Sequence, residues 1–439
     1  MTLSTLPACE LVERLTRGGV TATEVAQSFL ARIAECDSSI GAWQHLDPAE
    51  VLETARRLDA ADVRGPLHGL PIAVKDIMDT HDMPTAYGSD LYRHHQPSWD
   101  AAVVAQLRSL GALVLGKTVT TEFAYFKPGK TANPWDVRRT PGGSSSGSAA
   151  AVAAGMAPIG LGSQTAASLI RPASYCGVVG FKPSFGRYSL AGIKPLAHSL
   201  DTLGWMARTV DDIDLIGKAL SGRALTGLPA TGIQGLRIGL VRTYEWPLAE
   251  PSTRNALETA TELFRRGGAT VSTVDLPEPF AAMADTHAGV MAFEAARALA
   301  FEHASASDQL SPQLRALLDK GLAIDESSYF RLQDAAVACR NLLRDLFSSY
   351  DVLLAPSAPG EAPTGLQATG DPAFSRMWAV LHVPCLTLPG LTGEEGMPVG
   401  IQLIGSYQCD DRLLCIAKGC MDALNGALSQ SLPVERHRR

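Results

Sequence analysis

Short apolar runs alternate with amphipathic stretches along this chain. The amphipathic stretches at 100–110 and 253–266 carry apolar residues at helical spacing. The apolar runs are four to six residues long and predict buried strands at residues 70–74, 112–115, 236–241 and 352–355. Alternation of strands and helices is typical of an α/β/α sandwich, so we predict that architecture.

Two further patterns predict helices near the start of the chain and at a loop rich in glycine and serine. Thr21 and Glu24 form a capping box at the head of an apolar helical stripe. Residues 142–163 begin with Gly and Ser and continue as a run of small residues. The small residues of that run predict a short, fully buried helix. The run is too short to span a bilayer.

The length of 439 residues exceeds the size at which single hydrophobic cores usually stop growing, about 250–300 residues. One large domain or two subdomains would satisfy this limit. Residues 222–232 form a Gly/Thr/Pro loop, and residues 280–350 are strongly helical in pattern. We predict a single domain over 1–439, with residues 222–350 as a variable segment that forms a lid or a pocket wall.

Composition and charge limit the classes of partner that the chain is expected to bind. The chain is 46% hydrophobic and 19% charged, and 45 acidic against 38 basic residues give a net charge of −7. Its only basic cluster is the short Arg-His-Arg-Arg run at 436–439, so we expect no nucleic-acid partner. Neither a signal sequence nor a run of about 20 apolar residues is present, which predicts a cytoplasmic protein without a membrane partner.

The cysteine and histidine patterns argue against metal and disulfide chemistry. Eight cysteines are scattered without C-x-x-C pairs, and no H-E-x-x-H pattern occurs. We therefore expect buried reduced thiols, no metal site and no cofactor.

One motif in the sequence has the letters of a nucleotide-binding loop. Residues 111–118 fit G-x-x-x-x-G-K-[ST], which alone predicts phosphate binding. The four variable positions are Ala-Leu-Val-Leu, however, and such residues predict a strand where a phosphate loop has to bend. We favour a buried strand followed by a glycine turn.

A second motif resembles the nucleophile elbow of α/β-hydrolases. Residues 143–147 fit G-x-S-x-G and would make Ser145 the nucleophile, with Asp351 and His382 as partners. An elbow follows a strand directly, whereas residues 133–142 form a proline-punctuated loop. The elbow is therefore the weaker interpretation.

A third, longer constellation resembles the amidase signature family. Its centre is residues 142–155, followed by Gly-Ser-Gln-Thr-Ala-Ala-Ser at 162–168 and by residues 171–183. Further similar stretches occur in order at residues 69–76, 116–118, 121–123, 133–136, 199–204 and 397–402. The resemblance covers most of 65–210 and part of 350–415, and it implies a core with a large mixed central sheet. Residues 215–350 match nothing in the family.

The resemblance also implies a catalytic triad. By position, Lys75 corresponds to the general base, Ser144 to the bridging serine beside a cis peptide bond, and Ser168 to the nucleophile. The oxyanion hole would be formed by backbone N–H groups of Thr165, Ala166, Ala167 and Ser168. The chain departs from the commoner Asp-Thr-Gly-Gly-Ser form by carrying Gln164 and two alanines, which affects the shape of this loop.

These residue types suit amide hydrolysis. A serine hydroxyl needs a base, and a lysine can act as one only when neutral, so its pKa has to fall from about 10.4 by burial or nearby positive charge. The apolar run before Lys75 favours that burial.

Taken alone, each residue has an ordinary explanation. Lys75 would be a surface lysine, Ser144 a linker serine and Ser168 a helix cap, and the ordered series outweighs these explanations.

We expect a free-standing hydrolase of a small or aryl amide, a carbamate or a urea-like compound, with a homodimer left open. The alternative within the family is the ammonia-releasing subunit of a tRNA-dependent amidotransferase, working with partner chains. Candidate pocket residues are Trp378 and His382, for which a core aromatic and a hydrogen-bonded histidine are the plainer explanations.

Overall fold

The fold is built on one sheet of eleven strands. The computed structural model describes residues 2–62, 64–229 and 231–425. The strands are β1 (Trp43–His45), β2 (Pro71–Lys75), β3 (Leu113–Thr118), β4 (Ile159–Gln164), β5 (Val179–Lys182), β6 (Thr202–Ala207), β7 (Arg237–Val241), β8 (Thr270–Val274), β9 (Val352–Pro356), β10 (Cys385–Thr392) and β11 (Pro398–Ile404).

Strand order in the sheet is β1-β3-β2-β4-β6-β5-β10-β11-β9-β7-β8. The pairs β2/β3, β2/β4, β7/β8 and β7/β9 are parallel, and the central strands from β4 to β9 pair antiparallel. The sheet is therefore mixed, as expected.

Helices cover the sheet. They are α1 (Ala8–Thr16), α2 (Ala22–Ile40), α3 (Pro48–Asp59), α4 (Ala102–Ser109), α5 (Ser146–Ala153), α6 (Ile170–Cys176), α7 (Val210–Leu220), α8 (Pro251–Arg266), α9 (Met283–Ala298), α10 (Ala300–Ala306), α11 (Pro312–Leu322), α12 (Glu326–Leu346), α13 (Ala373–Val380) and α14 (Asp410–Asn425). The α/β/α architecture is confirmed.

Local sequence signals account for several of these elements. The capping box starts α2, since Thr21 accepts from the Glu24 N–H while the Glu24 carboxylate accepts from the Thr21 N–H. The run of small residues forms α5, which is buried over its whole length. Small side chains allow a helix to lie this deep, because neighbouring backbones can approach it closely.

The structure also decides between the competing motifs. Residues 113–118 form strand β3, and Lys117 lies within it as a buried residue whose amine is 3.1 Å from the Asp76 carboxylate. This lysine is part of an internal ion pair, so the segment lacks the shape of a phosphate loop. Ser145 follows a loop, so the strand that an elbow requires is missing.

The segment 280–350 is helical, as its pattern predicts, and contains α9 to α12. Helix α9 packs against α11, α12 and α13, and it contributes side chains to the site described below. A single domain over 1–439 stays a prediction, and the basic run at 436–439 lies outside the described residues. In the described part of the chain, no helix is long and apolar enough to cross a membrane.

Candidate active site

The end of strand β2 and two loops meet at one edge of the sheet and carry the candidate residues. Lys75 is the last residue of β2, and the neighbouring parallel strand β4 leads into the loop that contains Ser168. Parallel neighbours place their carboxyl ends at the same edge, which explains why these two residues come together. Ser144 lies in the loop that precedes α5.

The Lys75 amine is enclosed by hydroxyl groups. Its Nζ donates to Ser144 Oγ at 2.7 Å and to Ser163 Oγ at 2.9 Å, and Lys75 is 0% exposed. Burial lowers the pKa of Lys75 to about 7, while the Asp201 carboxylate acts in the opposite direction. Lys75 is therefore poised to exchange a proton near neutral pH.

The loop that carries Ser144 is fixed by a buried arginine. The Gly143–Ser144 peptide bond is cis, in line with the resemblance. Arg171 Nη2 donates to the Gly143 carbonyl at 2.7 Å, and its other contacts run to Thr369 Oγ1 and the Gly370 carbonyl. These bonds join the loop before Ser144 to the loop at 369–370.

Four consecutive backbone N–H groups, at residues 165–168, have no hydrogen-bond acceptor in the part of the chain that the structure describes. All four residues line the cleft that contains Ser144. Free donors converging on one cleft can stabilise a developing oxyanion, because they are already oriented toward the place where the charge forms.

The side chains of Gln164, Asp201 and His287 hold the loop that contains residues 165–168. Gln164 Oε1 accepts from the N–H groups of Leu169 and Ile170 at 2.8 and 3.0 Å. The Thr165 hydroxyl donates to Asp201 at 2.5 Å, and His287 contacts the Thr165 carbonyl at 2.9 Å. A carbonyl oxygen can only accept, so His287 carries its proton on Nε2. These hydrogen bonds hold the loop in place although it contains no glycine.

The two alanines fit the loop because neither Ala166 nor Ala167 has a positive φ angle. An alanine methyl group is costly mainly in left-handed backbone, which glycine tolerates. The backbone donors of this loop are therefore compatible with alanine at both positions.

The cleft itself is small, with a volume of about 30 Å³. Its lining is mainly apolar apart from the loop donors, Ser144, Ser168, Thr369 and two arginines, Arg171 and Arg376. The Ser168 hydroxyl makes no hydrogen bond to any described residue. It is free to turn toward Ser144 or toward a bound carbonyl group.

The structure does not bring Trp378 and His382 into this cleft. Trp378 is completely buried in the hydrophobic core. His382 stacks on Phe185 and bonds the Ser199 carbonyl, and it lines a separate surface cavity. Arg376, two residues before Trp378 on α13, faces the cleft instead. Successive residues on a helix point in different directions, so Arg376 can face the cleft while Trp378 faces the core.

Several residues at the site escaped the sequence reasoning. Ser163 contacts Lys75, and Asp201 and His287 contact Thr165 in the loop at 165–168, but only the fold shows these contacts. Ser163 and Asp201 are inside motifs, so position within a motif was an available signal. For His287 and Arg376, which lie outside the matched stretches, no sequence signal was available.

A comparison with family models matches residues 24–414 to the model described as Amidase. Among sequence relatives, a glutamyl-tRNA(Gln) amidotransferase subunit from Roseiflexus castenholzii is 34% identical, and the match covers 93% of this chain and 94% of that protein. The protein of the same name from Rhodopirellula baltica is also 34% identical, with the same coverage.

Solved structures resemble the whole chain. A structure described as an amidase superposes with a TM-score of 0.85 at 32% identity, covering 97% of this chain and 100% of that one. The peptide amidase of Stenotrophomonas maltophilia gives 0.81 at 30% identity, with 98% of both chains covered. A third structure is described as an inhibitor-bound vestigial protein complex that reveals the evolutionary origins of an s-triazine catabolic enzyme. A chain of that complex superposes with a TM-score of 0.86 at 28% identity, covering 97% of this chain and 100% of that one.

Proposed function

The chain belongs to the amidase signature family, and on that premise we propose that it is a serine amidohydrolase that forms an acyl-enzyme on Ser168. The observation that carries the proposal is the 2.7 Å contact between the buried Lys75 amine and Ser144, in a cleft shared with Ser168. The substrate class is a small or aryl amide, a carbamate or a urea-like compound.

Acylation begins with removal of the Ser168 proton. Neutral Lys75 accepts a proton from Ser144 as Ser144 takes the proton of Ser168, and the Ser168 oxygen attacks the amide carbonyl carbon. The N–H groups of residues 165–168 hold the resulting oxyanion. The proton returns through Ser144 to the amide nitrogen, which then leaves as an amine or ammonia.

Deacylation repeats the relay with water. Lys75 and Ser144 remove a proton from a water molecule, which attacks the ester formed on Ser168. Collapse of the second tetrahedral intermediate releases the acid and restores the Ser168 hydroxyl. The whole cycle uses this chain's own groups.

The second candidate is an ammonia-releasing subunit that cleaves glutamine within a tRNA-dependent amidotransferase. The sequence relatives favour it over the free-standing hydrolase, since both relatives described above bear the name of such a subunit. The structural resemblance to a peptide amidase favours the first candidate. A cytoplasmic location fits either candidate and stays part of the proposal.

The test is to purify the chain alone and measure ammonia release from amides, carbamates, ureas, glutamine and asparagine. The first candidate predicts turnover without partner chains, and Ser168→Ala should abolish it. Activity that appears only with partner chains, and only on glutamine or asparagine, would establish the second candidate instead.

A further inference from the structure

Two arginines face the cleft that contains Ser168, and the mechanism above leaves their positive charge unused. Arg376 is half-buried on α13, and Arg171 is 4% exposed at the start of α6. Both residues belong to the lining of the cleft. Charge so close to a reacting centre has to be balanced by water, by protein or by ligand.

Arg376 has no hydrogen bond and no salt bridge to any described residue. Its charge nevertheless acts on the surroundings. Burial is the main cause of the pKa shifts of Tyr125, Arg171 and His287, and the charge of Arg376 adds a smaller effect that lowers the pKa of each. The guanidinium therefore acts electrostatically on three groups around the site, two of which share the cleft lining with it, while its donors remain free for a ligand.

Arg171 is more firmly held, but its charge is also uncompensated. Its three hydrogen bonds run to two carbonyl groups and a hydroxyl, all of them neutral. Its buried Nε has no hydrogen-bond partner. Burial lowers the pKa of Arg171 to about 10, so the group stays charged at neutral pH.

Carboxylates that could neutralise these arginines are missing from the described lining of the cleft. Asp371 is the nearby acidic group, and it is exposed and accepts from the Ala373 N–H at the start of α13. It forms a salt bridge with neither arginine, within the residues that the structure describes. The cleft consequently has a net positive charge.

We infer that the substrate is an amide that also bears a carboxylate, which Arg376 binds, and that it has no ammonium group beside that carboxylate. This inference deepens the proposed function and rests on it. A guanidinium presents parallel donors that match the two oxygens of a carboxylate. An ammonium group would meet two positive charges and no acidic acceptor in the cleft.

Three matched amides test this inference. Glutaramate, the monoamide of glutaric acid, carries the carboxylate alone. Pentanamide replaces that carboxylate by a methyl group, and L-glutamine adds an α-ammonium group to glutaramate. The inference predicts that kcat/KM is highest for glutaramate, with a gain over pentanamide of about 10- to 100-fold, as expected for a charge-assisted hydrogen bond.

The variant Arg376→Gln assigns the effect to one residue. Its kcat/KM for glutaramate should fall by about 10- to 100-fold more than its kcat/KM for pentanamide. Arg266→Gln is the matched control, since Arg266 is an exposed arginine on α8 that pairs with Glu262 outside the cleft. This control removes the same charge and should leave both substrates unaffected.

Two results would overturn the inference while leaving the proposed function intact. One is equal turnover of pentanamide and glutaramate that still requires Ser168. The other is a preference for L-glutamine over glutaramate, which would require recognition of the ammonium group. Turnover that survives in Ser168→Ala would instead overturn the proposed function itself.

Discussion

The Nζ atom of Lys75 lies 2.7 Å from the hydroxyl oxygen of Ser144, and neither residue is open to solvent. This distance is that of a normal hydrogen bond between an amine and a hydroxyl group. A lysine in water would stay protonated at neutral pH, but burial brings the pKa of Lys75 to about 7. This pair therefore determines how activity should depend on pH.

Lys75 should govern the pH profile. Because its neutral form is the base, kcat/KM should rise as pH increases through about 7 and then level off. Lys75→Met keeps much of the side chain's bulk and should lower kcat/KM by about 10²- to 10⁴-fold. Steady-state kinetics across the pH range measure both effects, and circular dichroism verifies that the variant is folded.

A histidine, whose ordinary pKa is about 6.5, would also give a rising limb of the pH profile near neutral pH. The structure provides the distinction, since burial lowers the pKa of His382 to about 3 and that of His287 to about 4. Near-normal amide turnover by folded Lys75→Met would contradict the assignment of the limb to Lys75.

Burial of Lys75 should also reduce stability at low pH. The unfolded lysine holds its proton up to about pH 10.4, whereas the folded one releases it near 7. Between these values the unfolded state binds more protons, so folding stability rises with pH. The melting temperature of Lys75→Met should exceed that of the wild type most at pH 6 and least near pH 10. A difference that does not vary with pH would refute this linkage.

His287 should act as a positioning residue for the oxyanion loop. Its Nε2–H supports the Thr165 carbonyl, so His287→Leu should lower kcat by roughly tenfold, less than the 10²- to 10³-fold loss typical of an oxyanion donor itself. His287→Gln retains a donor and should recover part of the rate. The pH limb near 7 should persist in both variants, and its disappearance would show that His287 titrates in catalysis.

Lys117 should be a structural residue rather than a nucleotide ligand. It is buried beside Asp76 and donates to the Thr85 hydroxyl at 2.6 Å. Lys117→Met leaves the Asp76 carboxylate without its partner and should lower the free energy of unfolding by about 3–5 kcal/mol. Denaturant titration measures this loss. Stabilisation of the wild type by ATP and Mg²⁺ in thermal unfolding would contradict the structural role.

The sequence predicted the site better where motifs are contiguous than where the fold brings distant residues together. Lys75, Ser144 and Ser168 each lie in a motif, and the parallel pairing of β2 and β4 explains why two of those motifs meet. His287 and Arg376 belong to helices without a matching motif, so only packing reveals them.

Trp378 and His382 illustrate the converse case, since the structure places both outside the cleft. Their residue types suggested a substrate pocket, but neither type specifies the direction of a side chain. The turn of α13 buries Trp378 and places Arg376 at the cleft instead. Helical phase at this position depends on tertiary packing, which local sequence does not determine.

The central claim is that Ser168 forms the covalent intermediate, and labelling with a fluorophosphonate tests it most directly. The reagent phosphonylates an activated serine, and peptide mass spectrometry identifies which one carries the adduct. The mechanism predicts a single adduct on Ser168, absent from Ser168→Ala and strongly slowed in Lys75→Met. An adduct on Ser145, or undiminished labelling of Ser168→Ala, would contradict it.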